Sequence, residues 1–514
     1  MKVYFIIMAL ISTGFFGVRH VYAYPMRQYF SALMYFSVAG ILFAGFVLHN
    51  ALLFVLVSAI ILMTTVKSRI DALCRLAMLV ALIPDIGQPL RIGTLYLGTF
   101  TTSETLSAGA LLTCLFRRKI SRRRGLSIED ALVFVLVIVF SIAAHRAADL
   151  AGISREAVTI ALSLGLPYFI FSRLIRDRDE FGYVVGALAG ASLILAVVAL
   201  FEAKFHWSVY YPVFVNQSSG QVMSHSLRIR AGLMRAPTSF GESTSFALFQ
   251  VIGVFAVIAS RRLFKDVFLW SCSIGLAILG LMVAQSRGAD LALFFGFFAL
   301  LASRRRYALA AIVAAGGGAI LAVLLQLSSS VPKIAQFIGA DTSFASDHDY
   351  RQALLRRGIE EGMRHPFFGD DSAHVLARMQ DMVQGEGIVD FVNTYLVIFL
   401  NSGFVGVISV LILLILVILK AWNPLSHEKT ELYYVSLQTF IIGGLSAEAL
   451  ALLFTSFYER NPYWLMIMIA GCRVLQVKGQ TSRMRIGQFS VVDSNSGDYP
   501  DPMSVSYGQI TDPA

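Results

Sequence analysis

Charged residues are scarce in this sequence: only 14% of its 514 residues are Asp, Glu, Lys or Arg, whereas 57% are hydrophobic. A soluble domain usually carries roughly 25% charged residues. The deficit extends along most of the chain, which excludes a soluble enzyme and also a soluble domain with one membrane anchor. Because a bilayer core of roughly 30 Å needs about 20 apolar residues per helix, we predict many membrane-spanning helices.

Paired cysteines and metal-binding motifs are also lacking. The four cysteines are scattered in or beside apolar runs, at Cys74, Cys114, Cys272 and Cys472, and none forms a C-x-x-C pair. We therefore infer neither a disulfide nor a metal site. An Asp-x-Asp spacing occurs at Asp347 and Asp349, but Ser346 with Asp349 three residues later is typical of a helix start. We predict no metal and no cofactor.

The positive charge of the chain is concentrated in short segments between apolar runs. The net charge is +10. This distribution follows the positive-inside rule of membrane proteins and does not indicate nucleic-acid binding. The rule places four basic clusters in the cytoplasm, at residues 117–124, 173–178, 261–265 and 304–306. The segments 146–156, 203–240, 285–288 and 328–390 then lie on the outer side.

The apolar runs predict an all-α fold, a polytopic transmembrane helix bundle of about 12–15 spans, with the first run retained as an uncleaved helix. We predict a membrane domain over residues 1–477. One large periplasmic loop, residues 328–390, is inserted in it and contains short helices, the first starting at Ser346 and ending near His365, the second at residues 373–382. Residues 478–514 are rich in Ser, Gly, Asp and Pro, so we predict a disordered cytoplasmic tail.

Acidic residues are absent from one outer segment just after Glu202. Residues 203–240 contain Lys204, Arg228, Arg230 and Arg235 but neither Asp nor Glu. Four positive charges on the outer side run against the positive-inside bias, and a short loop can tolerate them. The functional interpretation is an anion site, because guanidinium groups bind phosphate with two parallel hydrogen bonds. Arg287, between two apolar runs, is a further candidate, since ionisable residues in membrane regions are often functional.

Four ordered stretches resemble the O-antigen ligase/polymerase (Wzy-type) superfamily. They are R-A-P-T-S-F-G-E at 235–242, Q-S-R-G-A at 285–289, R-x13-H-P-F-F-G-D at 351–370 and N-T-Y-L-x6-G-F-V-G at 393–406. The resemblance extends over about residues 183–415. The stretch M-Q-D-M-V-Q-G-E-G-I-V-D at 379–390 is similar to the bacterial exopolysaccharide branch.

The resemblance implies a metal-independent glycosyltransferase in the bacterial inner (cytoplasmic) membrane. It would join polyprenyl-diphosphate-linked oligosaccharide repeat units on the periplasmic face, as in exopolysaccharide or O-antigen biosynthesis. A departing diphosphate needs its negative charge stabilised, and preorganised arginines supply this without a metal. The predicted catalytic arginines are Arg235, Arg287 and Arg351, and Arg228 and Arg230 are predicted to bind substrate.

A base for the acceptor hydroxyl has four candidates, which are Glu242, His365, Glu386 and Asp390. Each also has a structural interpretation, as a helix cap, a helix-end residue or a solvated carboxylate. Asn393 and Tyr395 are predicted to position substrate. Family members, the ligases especially, often have a histidine thought to be catalytic just before this asparagine, whereas this chain has Val392. The departure favours a polymerase over a ligase.

Two alternatives stay open. One is a ligase that transfers lipid-linked glycan to another acceptor. The other is a flippase or transporter of lipid-linked oligosaccharides, although such proteins often consist of paired halves and this sequence shows no internal repeat. The implied partners are the lipid-linked glycan, the bilayer, a flippase and a chain-length regulator, with no nucleic acid.

Overall fold

The computed structural model describes residues 2–92, 95–116, 125–143, 150–217, 229–230, 232–328, 330–331, 342–383, 389, 391–422, 432–455 and 460–476. The helices are α1 Lys2–Val21, α2 Ala32–Val47, α3 Ala51–Thr65, α4 Arg69–Leu82, α5 Thr102–Phe116, α6 Ile128–Ala143, α7 Leu150–Ile160, α8 Leu166–Leu174, α9 Arg178–Phe205, α10 Tyr211–Gln217, α11 Ser243–Ala259, α12 Val267–Ala284, α13 Arg287–Ser303, α14 Tyr307–Ser328, α15 Thr342–Gly362, α16 Ser372–Arg378, α17 Thr394–Trp422, α18 Leu432–Ala451 and α19 Asn461–Gln476. A π-helical turn, Ala161–Gly165, joins α7 to α8. Two antiparallel hairpins complete the described elements, β1 Gln88–Ile92 with β2 Leu95–Phe100 and β3 Ile229–Arg230 with β4 Leu233–Met234.

The chain is an all-α, multi-pass membrane protein, as predicted. Within the part of the chain that the structure describes, five helical segments are long and apolar enough to cross a bilayer: Lys2–Val21, Gly152–Leu174, Arg178–Phe205, Val267–Ala284 and Thr394–Trp422. Shorter apolar helices lie between them, such as Ala32–Val47 and Ser243–Ala259. Helices dominate because a backbone inside a bilayer must satisfy its own hydrogen bonds.

Two apolar runs near the N-terminus differ from the form that their hydropathy predicts, which is one span for residues 95–116 and a partial or re-entrant span for residues 72–83. Residues 95–116 read as one span, but β2 occupies the first part and α5 begins only at Thr102. Gly98, which has a positive φ of 143°, interrupts the run with a conformation that a helix does not use. The short run at 72–83 is helix α4, which begins at Arg69 and is buried on all sides. It is a core helix of the bundle.

Helix α9 is the centre of the bundle. It packs against α1, α4, α11 and α12, and 83% of its most apolar 18-residue segment is buried. Small residues allow close approach at several crossings: a Cβ on Gly190 would lie 2.2 Å from the Phe30 ring. Helices α13 and α18 pack tightly where Gly296 faces the carbonyl oxygen of Gly443. The bundle thus fixes the ends of α12, α13 and α18 relative to one another.

Buried ion pairs tie helices together at the end predicted to face the cytoplasm. Lys420 of α17 lies 2.5 Å from Glu129 of α6, and Asp130 bonds both Arg173 of α8 and Arg473 of α19. Because these charges are shielded from water, removing one partner of such a pair is costly. The pairs hold one end of the bundle, and the opposite end, called the outer end below, is left for the segments that carry the motifs.

The large outer loop contains helices, although the first begins earlier than predicted. Helix α15 starts at Thr342, so Ser346 and Asp349 lie inside it and the predicted start at Ser346 is wrong. The four residues before Ser346, T-S-F-A, contain no Gly or Pro, so the helix can extend back from Ser346 to Thr342. The second predicted helix, 373–382, is present as α16 followed by a 3₁₀ turn, Gln380–Met382. Residues 478–514 and the loop residues 332–341 lie outside the described residues.

Candidate functional site

A cavity of about 570 Å³ opens at the outer end, where α13 begins and α15 passes over the start of α17. Four of the predicted arginines line it, namely Arg230, Arg235, Arg287 and Arg351. Its lining contains no Asp or Glu among the residues that the structure describes. Side chains separated by more than 100 positions in the sequence therefore converge on one strongly cationic space.

Arg230 and Arg235 reach the cavity because their segment docks on the end of α12. The Arg230 Nη1 donates to the carbonyl oxygen of Gln285 at 3.4 Å, and the Arg235 Nε donates to that of Ala284 at 3.4 Å. The backbone N–H of Ala236 donates to the oxygen of Val283 at 3.3 Å. These contacts use carbonyl groups that a helix C-terminus leaves without intrahelical partners. The end of α12 thus orients both guanidinium groups.

Two buried charged residues anchor this docked segment, and the sequence analysis missed both. The two side-chain oxygens of Glu202, which is fully buried, accept from the backbone N–H groups of Val209 and Thr238 at 2.9 Å each. Arg460 donates to the carbonyl oxygen of Ser239 at 2.9 Å. The available signal was an ionisable residue beside an apolar run. Both residues hold the start of the 235–242 stretch against the bundle.

The N-terminus of α13 adds to the positive character of the cavity. Ser286, Arg287 and Gly288 all line the cavity, and Ser286 is the N-cap residue. The Ser286 side chain makes no capping hydrogen bond to the first turn of α13. Free N–H groups and the positive end of the helix dipole favour an anion at such a position. Arg287 therefore places its positive charge beside the positive end of the α13 dipole.

Arg351 comes to the cavity because α15 lies against the first half of α17. A Cβ on Gly358 would meet the Leu396 side chain at 2.8 Å, and one on Gly362 would meet the Phe399 ring at 2.3 Å. This close approach brings Arg351, Gln352 and Leu355 over the start of α17, where Val392 and Asn393 also line the cavity. The outer loop is thus one wall of the site.

The third and fourth sequence stretches lock into each other. Helix α17 is broken at Gly403, where φ is 61°, and the N–H groups of Phe404 and Val405 donate to Pro366 at 2.7 Å and Phe367 at 3.1 Å. Gly369, with φ of 70°, lies so close that a Cβ there would be 2.4 Å from the carbonyl carbon of Asn401. Both positions require glycine, for φ and for space. The H-P-F-F-G-D turn therefore fixes the loop on the broken helix.

Asp370 of that turn is the centre of a set of polar contacts. Its N–H donates to the carbonyl oxygen of Leu400 at 2.8 Å, and its carboxylate pairs with Arg378. The imidazoles of His365 and His374 lie 3.7 and 3.6 Å from its oxygens. Burial raises the pKa of Asp370, but the hydrogen bonds from Arg378 and from the N–H of Asp371 outweigh burial and hold this pKa below its usual range.

We expect the Asp370→Asn variant to weaken docking of the outer loop by about 1–3 kcal/mol, because the paired guanidinium loses its charged partner. Because docking lowers the pKa of Asp370, its carboxylate stabilises the docked loop at every pH above the unfolded-state pKa of about 3.9. This stabilisation is lost as the pH falls through the lower pKa of the folded state. Hydrogen exchange at the amides of Phe404 and Val405 measures docking at neutral and acidic pH. The control is Asp381→Asn, whose side chain is 57% exposed. Unchanged exchange in Asp370→Asn at neutral pH would contradict the structural role.

Asn393, Tyr395 and Val392 have different surroundings at the start of α17. Asn393 lines the cavity, and its side-chain oxygen accepts from the N–H of Leu396 at 3.1 Å, as a helix N-cap does. Tyr395 does not line the cavity; its hydroxyl donates to the carbonyl oxygen of Ala449 at 2.8 Å. Val392, at the position where the resemblance implies a histidine, lines the cavity.

The candidate bases are divided between two places. Glu242 is the N-cap of α11, and its carboxylate accepts from the hydroxyl of Thr244 at 3.2 Å, a residue that lines the cavity. His365 does not line the cavity and is exposed beside Asp370. Glu386, Asp390 and the predicted substrate-binding residue Arg228 lie outside the described residues. Among the described candidates, Glu242 is the one joined to the cavity by a hydrogen bond.

Comparison with known families matches one segment of the chain. Residues 272–411 match the family model described as O-antigen ligase, which confirms the resemblance to the O-antigen ligase/polymerase superfamily. The matched segment contains Arg287, Arg351 and the first part of helix α17 with its break at Gly403, whereas Arg230 and Arg235 precede it. No curated protein matches the sequence.

Proposed function

We propose that this chain, whose residues 272–411 match the O-antigen ligase family, is a polymerase of polyprenyl-diphosphate-linked oligosaccharide repeat units. The observation that carries the proposal is the convergence of Arg230, Arg235, Arg287 and Arg351 on one cavity at the outer end of the bundle. A diphosphate between a glycan and a membrane lipid would be anchored where the bilayer ends. The family acts on lipid-linked glycans, which fits this position.

The chemistry is a glycosyl transfer with the lipid diphosphate as leaving group. A hydroxyl oxygen of the acceptor glycan attacks the anomeric carbon of the donor, a glycosidic bond forms, and the bond from that carbon to the diphosphate oxygen breaks. The electron pair leaves with the diphosphate, whose growing negative charge the arginines stabilise. Oriented guanidinium groups do this without reorganisation, since Arg230 and Arg235 are already held by carbonyl oxygens.

The proton of the acceptor hydroxyl needs a destination, and Glu242 is our preferred base. Its link to the cavity through Thr244 favours it over His365, which belongs to the Asp370 contacts. Glu386 and Asp390 remain candidates from the sequence. If none of the four serves, the acceptor loses its proton to water and catalysis rests on the arginines.

Polymerisation is preferred to ligation because Val392 lies in the cavity wall. A ligase that depends on a histidine base at this position would here have an apolar side chain, which can neither accept a proton nor hold a hydroxyl. The description of the matched family as O-antigen ligase supports the ligase as the second candidate. The inner membrane, a flippase that delivers the repeat units and a chain-length regulator are the setting that either enzyme would require.

A deletion strain distinguishes the candidate functions. Without a polymerase, we expect single repeat units to accumulate on the lipid carrier at the outer face, and high-molecular-weight polysaccharide to disappear. Extracted carrier lipids are analysed by mass spectrometry, and the control is the same strain with the intact gene restored. Long lipid-linked chains in the deletion strain would instead identify a ligase. Repeat units confined to the cytoplasmic face would identify a flippase.

A further inference from the structure

An exposed apolar stripe runs along the outer-loop helix α15. Seven of the 21 residues of α15 are charged, as is typical of a helix that faces water. A row of exposed apolar side chains on such a helix is therefore unexpected. Leu355, Ile359 and Met363 are 42%, 47% and 55% exposed. Because they recur every four residues, they lie along one face of the helix. Arg356 and Glu360, which pair at 3.2 Å, occupy the neighbouring polar face.

The stripe is continuous with the arginine cavity. Arg351 lies one turn before Leu355 on the same face, and both residues line the cavity. From Arg351 to Met363 the face extends for about 18 Å. The cavity itself has an apolar side, formed by Leu291, Leu354, Leu355, Leu396, Leu453 and Phe454. A ligand that fills the cavity thus contacts the arginine side chains and also an apolar surface that continues along the stripe.

The stripe ends at a helix that can cross the membrane. Beyond Met363, the turn exposes Phe367 and Phe368, which are 67% and 62% accessible. This turn is held on the break of α17 by the bond from the Phe404 N–H to Pro366, and Phe404 is itself 42% exposed. Helix α17 is one of the five spans long and apolar enough to cross a bilayer. The apolar face therefore leads from the cavity to the break of a helix that is long and apolar enough to cross a bilayer.

We propose that the stripe Leu355–Ile359–Met363, with Phe367 and Phe368, holds the first isoprene units of the lipid-linked donor. The inference rests on the proposed function, since it needs a diphosphate in the arginine cavity. In such a donor the isoprenoid is bonded directly to the diphosphate. With the diphosphate bound by Arg351, the isoprenoid begins beside Leu355, one helical turn further along α15. Burial against these side chains gains affinity in proportion to the area covered. The stripe thus favours binding of a prenyl diphosphate over inorganic diphosphate.

The test compares a prenyl diphosphate with inorganic diphosphate, which has no isoprene units, on the full chain in lipid nanodiscs. The probes are undecaprenyl diphosphate, called the long probe, and inorganic diphosphate, called the short probe, and the variant is Ile359→Gln with Met363→Gln, which replaces apolar side chains by polar ones of similar length that a helix accommodates. We expect the double variant to bind the long probe about tenfold more weakly and the short probe unchanged. The matched control is Leu376→Gln on α16, which is 46% exposed and lies off the stripe, and it should alter neither.

Three results would overturn the inference: unchanged affinity of the double variant for the long probe, equal weakening for both probes, or equal weakening by Leu376→Gln. The first would place the chain in the bilayer lipid away from α15. Arg235→Ala tests the proposed function separately, because it should weaken both probes. If it weakens neither, the arginine site fails, while the ratio between the two probes still decides whether the stripe holds the isoprenoid.

Discussion

Replacing Arg235 with alanine should lower the rate of polymer formation by about 100- to 1000-fold. Removing one preorganised charge stabiliser typically costs roughly 3–4 kcal/mol of transition-state stabilisation. Arg235 lines the cavity and is oriented by the carbonyl oxygen of Ala284, so its charge is in place before the reaction starts. The measurement is the rate at which purified protein converts lipid-linked repeat units into longer chains.

The companion variants separate geometry from charge. Arg235→Lys keeps the charge but not the planar pair of donors, so we expect poor rescue if the contact with diphosphate is bidentate. Arg287→Ala should be as damaging as Arg235→Ala, since both side chains line the same space. Lys204→Ala, which removes an exposed cation at the end of α9, is the matched control and should be nearly neutral. Polymerisation at the normal rate by both Arg→Ala variants would refute the anion site.

Replacing Arg460 with leucine should destabilise the folded protein by about 3–5 kcal/mol, the scale of a broken buried ionic site. Its guanidinium donates to the carbonyl oxygens of Val80 at 2.6 Å, Ala81 at 3.2 Å and Ile83 at 2.6 Å, and to that of Ser239 at 2.9 Å. These include the last carbonyls of α4, which have no intrahelical partner. The Phe240 ring, 4.8 Å from the guanidinium carbon, closes the site.

Thermal unfolding of the purified variant in detergent measures this effect. Arg460→Lys should recover only part of the stability, because a single ammonium group cannot reach four carbonyl oxygens in a planar fork. The control is Arg356→Leu, whose side chain is 84% exposed and whose loss should shift the transition little. An Arg460→Leu protein that unfolds at the wild-type temperature would show that the buried contacts contribute no net stability.

The site was predictable to the extent that its signals are local. An acid-free basic segment and an arginine between two apolar runs were sufficient to select Arg230, Arg235 and Arg287. Glu202 and Arg460 escaped, because their partners are backbone groups far away in sequence, up to 380 residues for Arg460 and Val80. The pattern of residue types around Arg460 carries no information about a carbonyl oxygen at such a separation.

The sequence by itself determined the membrane-embedded, predominantly helical character of the chain and the residue types available for diphosphate chemistry. Hydropathy and charge are properties of short stretches, and each stretch inserts into the bilayer according to its own hydropathy and flanking charge. Only the tertiary structure decided that the hairpin with Arg230 docks on the end of α12, and that the close packing of Gly358 and Gly362 against α17 brings Arg351 over the start of that helix. These contacts depend on close packing between distant segments, where shape complementarity and unpaired backbone groups select the partner.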